Sequence, residues 1–177
     1  MYREPKKYEE YAYVLEFLPH GRPGAQVLGE EYFTLLEASP LPDVEYNIRD
    51  RIFVGKGDRA KVGHILGRIR YEELYSAGKD ELQAAVELVV QNNEGRFIGF
   101  INDSQSLTPR MHSLELIPGI GKRLMFQILD LRERFPFESF ADLKERANLP
   151  DPVKLISRRV IKELSEDQKY YIFTRPL

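Results

Sequence analysis

The sequence predicts an α+β chain, with strands gathered in its first half and helices in its second. Two observations lead there. Up to Tyr71, short runs rich in Val, Leu, Tyr and Phe alternate with Gly- and Pro-rich turns, the pattern of strands. From Lys79 onward the apolar residues recur at helical spacing, so strands give way to helices near residue 78. The expected division is therefore residues 1–77 and 78–177, and a chain of 177 residues can build a core in each.

Tyr11 to Leu18 reads as the first strand, ending in the turn cluster Pro19-His20-Gly21-Arg22-Pro23-Gly24. Gln26 to Glu37 carries Val27, Leu28, Tyr32, Phe33, Leu35 and Leu36 and closes at Ser39-Pro40-Leu41-Pro42. Arg51 to Gly55 is a short strand before the turn Gly55-Lys56-Gly57-Asp58, and Val62 to Tyr71 contains Gly63 and Gly67, which oppose a helix. These strands suggest a small curled sheet or barrel. In the second half Leu82, Val86, Val89 and Val90 line one helical face. Arg96 to Ile101 is too short to choose between helix and strand. Residues 109–116 are expected as a helix, Ser139 with Asp142 as an N-cap pair for residues 143–147, and Val153 to Leu164 as the last helix. Tyr170-Tyr171-Ile172-Phe173 has strand composition and is expected to return to the N-terminal sheet.

Leu116-Ile117-Pro118-Gly119-Ile120-Gly121-Lys122 places two glycines in a tight turn, entered from an apolar segment and left through an amphipathic helix bearing Leu124, Ile128 and Leu131. Glycine permits positive φ or close backbone approach. A helix N-terminus presents free N–H groups and the positive end of a dipole, and Lys122 and Arg123 add full charges, a combination suited to phosphate. The stretch resembles the helix-hairpin-helix motif. That resemblance implies sequence-independent binding of a nucleic-acid backbone through Pro118, Gly119, Ile120, Gly121, Lys122 and Arg123, with a monovalent cation held by carbonyls of the Ile117–Gly121 hairpin. Phe137 to Leu143 resembles the segment that follows in tandem versions. The alternative is a glycine-rich loop that merely caps a helix.

A shift of about 32 residues sets Leu149-Pro150-Asp151-Pro152-Val153-Lys154 beneath Ile117-Pro118-Gly119-Ile120-Gly121-Lys122. Asp151, Pro152 and Val153 remove an N–H, add a repelling charge and block close approach, so this second hairpin reads as structural. Arg158, Arg159 and Lys162 either compensate or form a solvated basic face.

The formal net charge is −2, so any polyanion footprint must be local. Residues 49–70 supply one: Arg49, Arg51, Lys56, Arg59, Lys61, Arg68 and Arg70 are opposed only by Asp50 and Asp58. With Tyr46, Phe53 and Tyr71 they could track a phosphate backbone and stack bases. Equally, the aromatics could be core and the basic strand could pair with acidic Glu30, Glu31, Glu37, Asp43 and Glu45. The chain has no cysteine, which excludes disulfides and thiolate metal sites. His20, His64 and His112 lack metal-ligand spacing. No apolar run reaches membrane-spanning length and the N-terminus lacks a signal-peptide core, so a cytoplasmic protein is expected. No Walker, Gly-x-Ser-x-Gly or His-Glu-x-x-His pattern occurs, and no catalytic role is assigned.

Arg51-Ile52-Phe53-Val54-Gly55-Lys56-Gly57, Ile65-Leu66-Gly67-Arg68-Ile69 and His112 to Lys122 resemble an uncharacterised archaeal protein family that joins an OB-like N-terminal β-barrel to an all-α tandem helix-hairpin-helix domain. The resemblance implies binding of RNA or DNA with weak sequence specificity, near the translation or transcription machinery. The expected function is thus a non-enzymatic nucleic-acid-binding protein, associated with RNA. The alternatives are a protein-interaction scaffold or a component of DNA repair or a nuclease.

Overall fold

Continuous burial from Ala12 through Leu15 marks the first strand, β1 (Tyr11–Leu18), as an inner strand of a sheet. It pairs antiparallel with β2 (Gly24–Gly29), slipping register between Val14 and Glu16, a bulge that bends a strand. β3 (Leu35–Pro40) pairs with β2, while β4 (Arg51–Phe53) and β5 (Val62–Arg68) form the outer positions of the order β4-β1-β2-β3-β5. Every pairing is antiparallel. Ala12, Val14, Val27, Ala38, Ile52 and Val62, drawn from all five strands, close on a single core. The result is a curled five-stranded antiparallel half-barrel. This computed structural model describes residues 8–18 and 24–176. Most of the turn cluster after β1, with His20, lies outside the described residues.

The expected strand region from Gln26 to Glu37 is a hairpin, and a buried carboxylate shapes its turn. Glu9, only 5 % exposed, accepts the backbone N–H groups of Glu31, Tyr32 and Thr34 at 2.8–3.1 Å. A side chain at Gly29 would collide with it, at 2.1 Å from the Glu9 carboxyl carbon. Phe33, buried at φ 54°, completes the turn. Tyr46 is core: its hydroxyl donates to the Lys61 carbonyl, and burial pushes its pKa up to about 12.

The chain divides into two compact units, Met1–Ala85 with Glu163–Leu177, and Val86–Lys162. α1 (Ser76–Asn92) buries Leu82, Val86, Val89 and Val90 as the spacing predicts. α2 (Glu94–Asp103) settles the ambiguous stretch as helix. β6 (Ser106–Thr108) and β7 (Met111–His112) form a small hairpin. α3 (Lys122–Arg134), α4 (Phe140–Ala147) and α5 (Pro152–Ser165) follow. Ser139 Oγ accepts the Asp142 N–H at 3.0 Å, so the expected cap forms. Leu114, Ile117, Ile128, Leu143 and Ile156 are fully buried in the second unit. Arg132 bonds the Ile101 and Ser104 carbonyls at the end of α2, and Arg146 bonds those of Leu131 and Phe135 at the end of α3. Both guanidiniums bond carbonyls in or just after the last turn of a helix.

Two expected elements are corrected. Residues 109–116 are not a helix: they hold the β6–β7 turn, β7, and a 3-10 turn at Ser113–Leu116. Ile117, which precedes Pro118, is extended at φ −77°, ψ 119°, as the proline ring requires, and this stops helical winding. Residues 170–173 are not a strand. The Glu163 carboxylate instead accepts the N–H groups of Ile172, Phe173 and Thr174, so a side chain takes the place of a strand partner. The segment does return to the first unit, with the Arg175 guanidinium 3.6 Å from the Tyr32 ring centroid.

Candidate nucleic-acid interface

Several backbone groups of the glycine turn are unpaired among the described residues. The Ile120 N–H reaches the Ile117 carbonyl at 3.0 Å, and Met125 N–H reaches Gly121 at 2.9 Å. Gly121 is the N-cap of α3 and has no side chain to offer. Among the described residues, the N–H groups of Lys122, Arg123 and Leu124 have no partner within the chain. They are the unpaired donors of a helix start. The carbonyls of Pro118, Gly119 and Ile120 likewise accept no bond from the described chain.

The two glycines differ in kind. Gly119 has φ +93°, and a Cβ there would lie 3.1 Å from Leu155 Cδ2, so it is required by the turn. Gly121 has φ −88°, and a Cβ would meet nothing within 4 Å. It leaves open space at the mouth of the uncapped helix.

The second hairpin shows the contrast. Asp151 precedes α5 and its carboxylate accepts the Lys154 N–H at 3.1 Å, while Pro152 opens the helix where its missing N–H is harmless. Asp151 therefore stands where Gly121 stands in α3, two residues from the register that sequence similarity suggests. Arg159 is 3 % exposed and donates toward the Leu116 carbonyl at 3.4 Å. It is an internal group, whereas Arg158 and Lys162 are exposed.

Of the expected hairpin residues, Ile120 is buried and presents only its backbone. Lys122 Nζ is drawn back to the Arg110 carbonyl at 2.6 Å and the Glu115 carboxylate at 2.9 Å. The His112 N–H and then the Lys122 ammonium hold the Glu115 carboxyl below its ordinary pKa. Arg123 is exposed and has no partner among the described residues.

In the first unit the basic residues separate into two sets. Arg51 makes a bidentate pair with Glu30 at 2.7 and 2.8 Å and stacks on Tyr11 at 3.7 Å. Arg49 pairs with Glu81 at 2.9 Å. Lys56, Arg59, Lys61, Arg68 and Arg70 pair with no carboxylate among the described residues. Arg59 Nε donates to the Gly55 carbonyl at 2.7 Å, Arg68 donates to the Arg175 carbonyl at 2.9 Å, and Lys56 lies 5.0 Å from the Tyr8 ring centroid. Arg70 uses its backbone N–H to bond Glu73.

Lys56, Arg59 and Arg68 open on a cavity of about 350 Å³, and Arg68 and Arg70 on an adjoining cleft of about 540 Å³. Of the aromatics expected to stack bases, Tyr46 is core, Phe53 packs edge-on against Tyr11 at 5.4 Å, and Tyr71 lines the larger cleft. The cavity is walled instead by Tyr8, Tyr32 and Arg175. Sequence reasoning missed these, because the only signal for Tyr32 is the turn that Glu9 builds and Arg175 arrives from the far end of the chain. Among the described residues no group of His, Asp and Glu is arranged to hold a metal ion, and no helix is long and apolar enough to cross a membrane.

The fold is that of an α+β protein, a curled antiparallel half-barrel followed by helices. The chain belongs to the family described as "Protein of unknown function (DUF655)", whose model matches residues 8–175. It is 42 % identical to uncharacterized protein MJ0038 of Methanocaldococcus jannaschii, over 97 % of this chain and 82 % of that one. The crystal structure of Af1531 from Archaeoglobus fulgidus, also DUF655, is similar with a TM-score of 0.89 and 42 % identity, over 94 % of this chain and all of that one. Both relatives are archaeal, as the resemblance read from the sequence implies.

Proposed function

We propose that the protein binds nucleic acid, RNA foremost, through the phosphate backbone and without catalysis. In this reading the turn at Ile117–Gly121 acts as a helix-hairpin-helix element and the half-barrel as an OB-like platform. The observation that carries it is the uncapped start of α3. Free N–H groups, open space at Gly121 and the unpaired Arg123 form a phosphate cradle, while the matching start of α5 is closed by its own Asp151. Helix N-termini hold anions through such N–H groups and the helix dipole. In this reading a monovalent cation would be held by carbonyls of the hairpin, of which those of Pro118, Gly119 and Ile120 accept no bond from the described chain, and would supply a further positive charge toward a phosphate. The Ile117 carbonyl is already occupied by Ile120 N–H. Lys56, Arg59, Lys61, Arg68 and Arg70 offer the first unit's own contacts to a backbone.

Gly121→Asp tests the reading. Aspartate is a favoured N-cap and Gly121 has an ordinary backbone conformation, so the melting temperature is expected to hold or rise. Affinity for single-stranded RNA at low salt should fall by about tenfold, the worth of one charge-assisted hydrogen bond. Unchanged affinity in the folded variant would remove the hairpin from the interface.

One observation favours the scaffold alternative. Phe126 on α3 and Phe135, the residue that ends it, are 63 % and 74 % exposed, large apolar side chains that a protein partner would cover. If wild-type protein binds neither RNA nor DNA at low salt, the scaffold reading replaces the proposal.

A further inference from the structure

We propose that the smaller cavity of the half-barrel takes one unpaired nucleotide of a single strand, its base inside and its phosphate at the cationic rim. This rests on the backbone-binding reading and deepens it. Leu36, Val54 and Ile65 give the cavity an apolar lining, and Tyr8 and Tyr32 add aromatic walls. Its volume of about 350 Å³ is at the small end of ligand sites, suited to a base and not to a stacked pair.

The rim carries Lys56, Arg59, Arg68 and Arg175. Arg59 spends only Nε on the Gly55 carbonyl, and Arg68 bonds the Arg175 carbonyl through one terminal nitrogen. Each keeps further donors for a phosphate, which guanidinium groups bind in bidentate fashion. The carboxylate in the lining, Glu9, is occupied by the N–H groups of Glu31, Tyr32 and Thr34. It positions Tyr32 and does not cancel the rim charge by pairing with it.

The cavity adjoins the larger cleft, with which it shares Thr34, Arg68 and Arg175. That cleft continues past Arg70 and Tyr71, while Glu72, Glu166 and Asp167 also line it. A strand leaving the cavity keeps its phosphates on the Arg68–Arg70 side and away from these carboxylates. A duplex holds its bases paired and stacked, so it cannot fill the cavity without flipping a nucleotide out.

The test is a fluorescence-anisotropy titration of wild-type protein with four ligands: a short oligouridylate, the same strand made abasic with every phosphate retained, a duplex of equal length, and uridine monophosphate. The intact strand is expected to bind about tenfold more tightly than the abasic strand or the duplex, the effect of losing one stacked base. Tyr32→Ala should lower the intact strand to the abasic level and leave the abasic strand unchanged, while Arg59→Gln should weaken both alike. Equal binding of intact and abasic strands overturns the base pocket and leaves backbone binding standing. Mononucleotide binding as tight as the strand overturns the assignment to a strand. No binding of any ligand overturns both this proposal and the reading beneath it.

Discussion

Gly119 and Gly121 lie two residues apart under opposite constraints. Gly119 is held at φ +93° with Leu155 pressed against the position of a Cβ. An alanine there meets both left-handed backbone strain and a contact of 3.1 Å. Gly119→Ala is expected to lower stability by about 1–2 kcal/mol, the typical strain of a side chain in that region. Gly121→Ala, with ordinary φ and empty space beside it, should cost less, under about 1 kcal/mol, the difference between glycine and alanine as an N-cap. Urea denaturation of the two variants measures the difference directly. Equal losses would show that the turn does not depend on positive φ. Replacing both glycines at once is therefore a poor probe of binding, since the first substitution disturbs the turn itself. Gly121 alone separates binding from folding.

The 3-10 turn before the hairpin depends on a histidine cap. His112 Nδ1 accepts the Leu114 N–H at 3.1 Å, and the Glu115 carboxylate accepts the His112 N–H at 2.8 Å. Burial, and then the Arg132 charge, lower the His112 pKa from its ordinary 6.5. The folded state thus favours the neutral imidazole. This stabilisation is complete above pH 6.5 and is lost as pH falls through the lowered folded value. Protonation removes the Nδ1 acceptor, a loss on the order of 1 kcal/mol for one capping bond. His112→Asn supplies an acceptor that does not titrate, so its stability should stay flatter over this range in chemical denaturation. The same decline in the variant would trace the acid sensitivity to another group. Much of this element order is legible in the sequence, because period, Gly–Pro punctuation and the Ser139 cap are local signals. The first helix of the hairpin is an expectation carried by the helix-hairpin-helix resemblance, and Pro118 forbids helical winding to continue through Ile117. The C-terminal strand was misread for a different reason. Tyr171 to Phe173 has the right composition, but Glu163, distant in sequence, captures the N–H groups a strand would pair. The cavity was illegible for that same reason, since Glu9, Tyr32, Arg59 and Arg175 meet only in the fold.

Across the whole molecule, 26 basic residues face 28 acidic ones, so net charge offers no general attraction for a polyanion. Binding must then depend on which cations the fold leaves unpaired. Arg51 and Arg68 are indistinguishable by sequence, each a basic residue in the same cationic run. In the fold Glu30 grips Arg51 with both carboxylate oxygens, while Arg68 and Arg59 spend their bonds on backbone carbonyls. A cation that already neutralises a carboxylate releases few additional counterions when a phosphate approaches. The logarithm of the single-strand binding constant should therefore fall with the logarithm of salt at about 0.7 per phosphate neutralised. Arg59→Gln is expected to reduce that slope by about 0.7, and Arg51→Gln to leave it unchanged, although both remove one charge. Titrations of the two variants at several salt concentrations make the comparison with the same change in net charge. If their slopes fall equally, net charge governs binding and the pairing of Arg51 with Glu30 does not withhold it from the ligand. If only Arg59→Gln lowers the slope, the interface is a local product of the fold, set by ion pairs that composition cannot reveal.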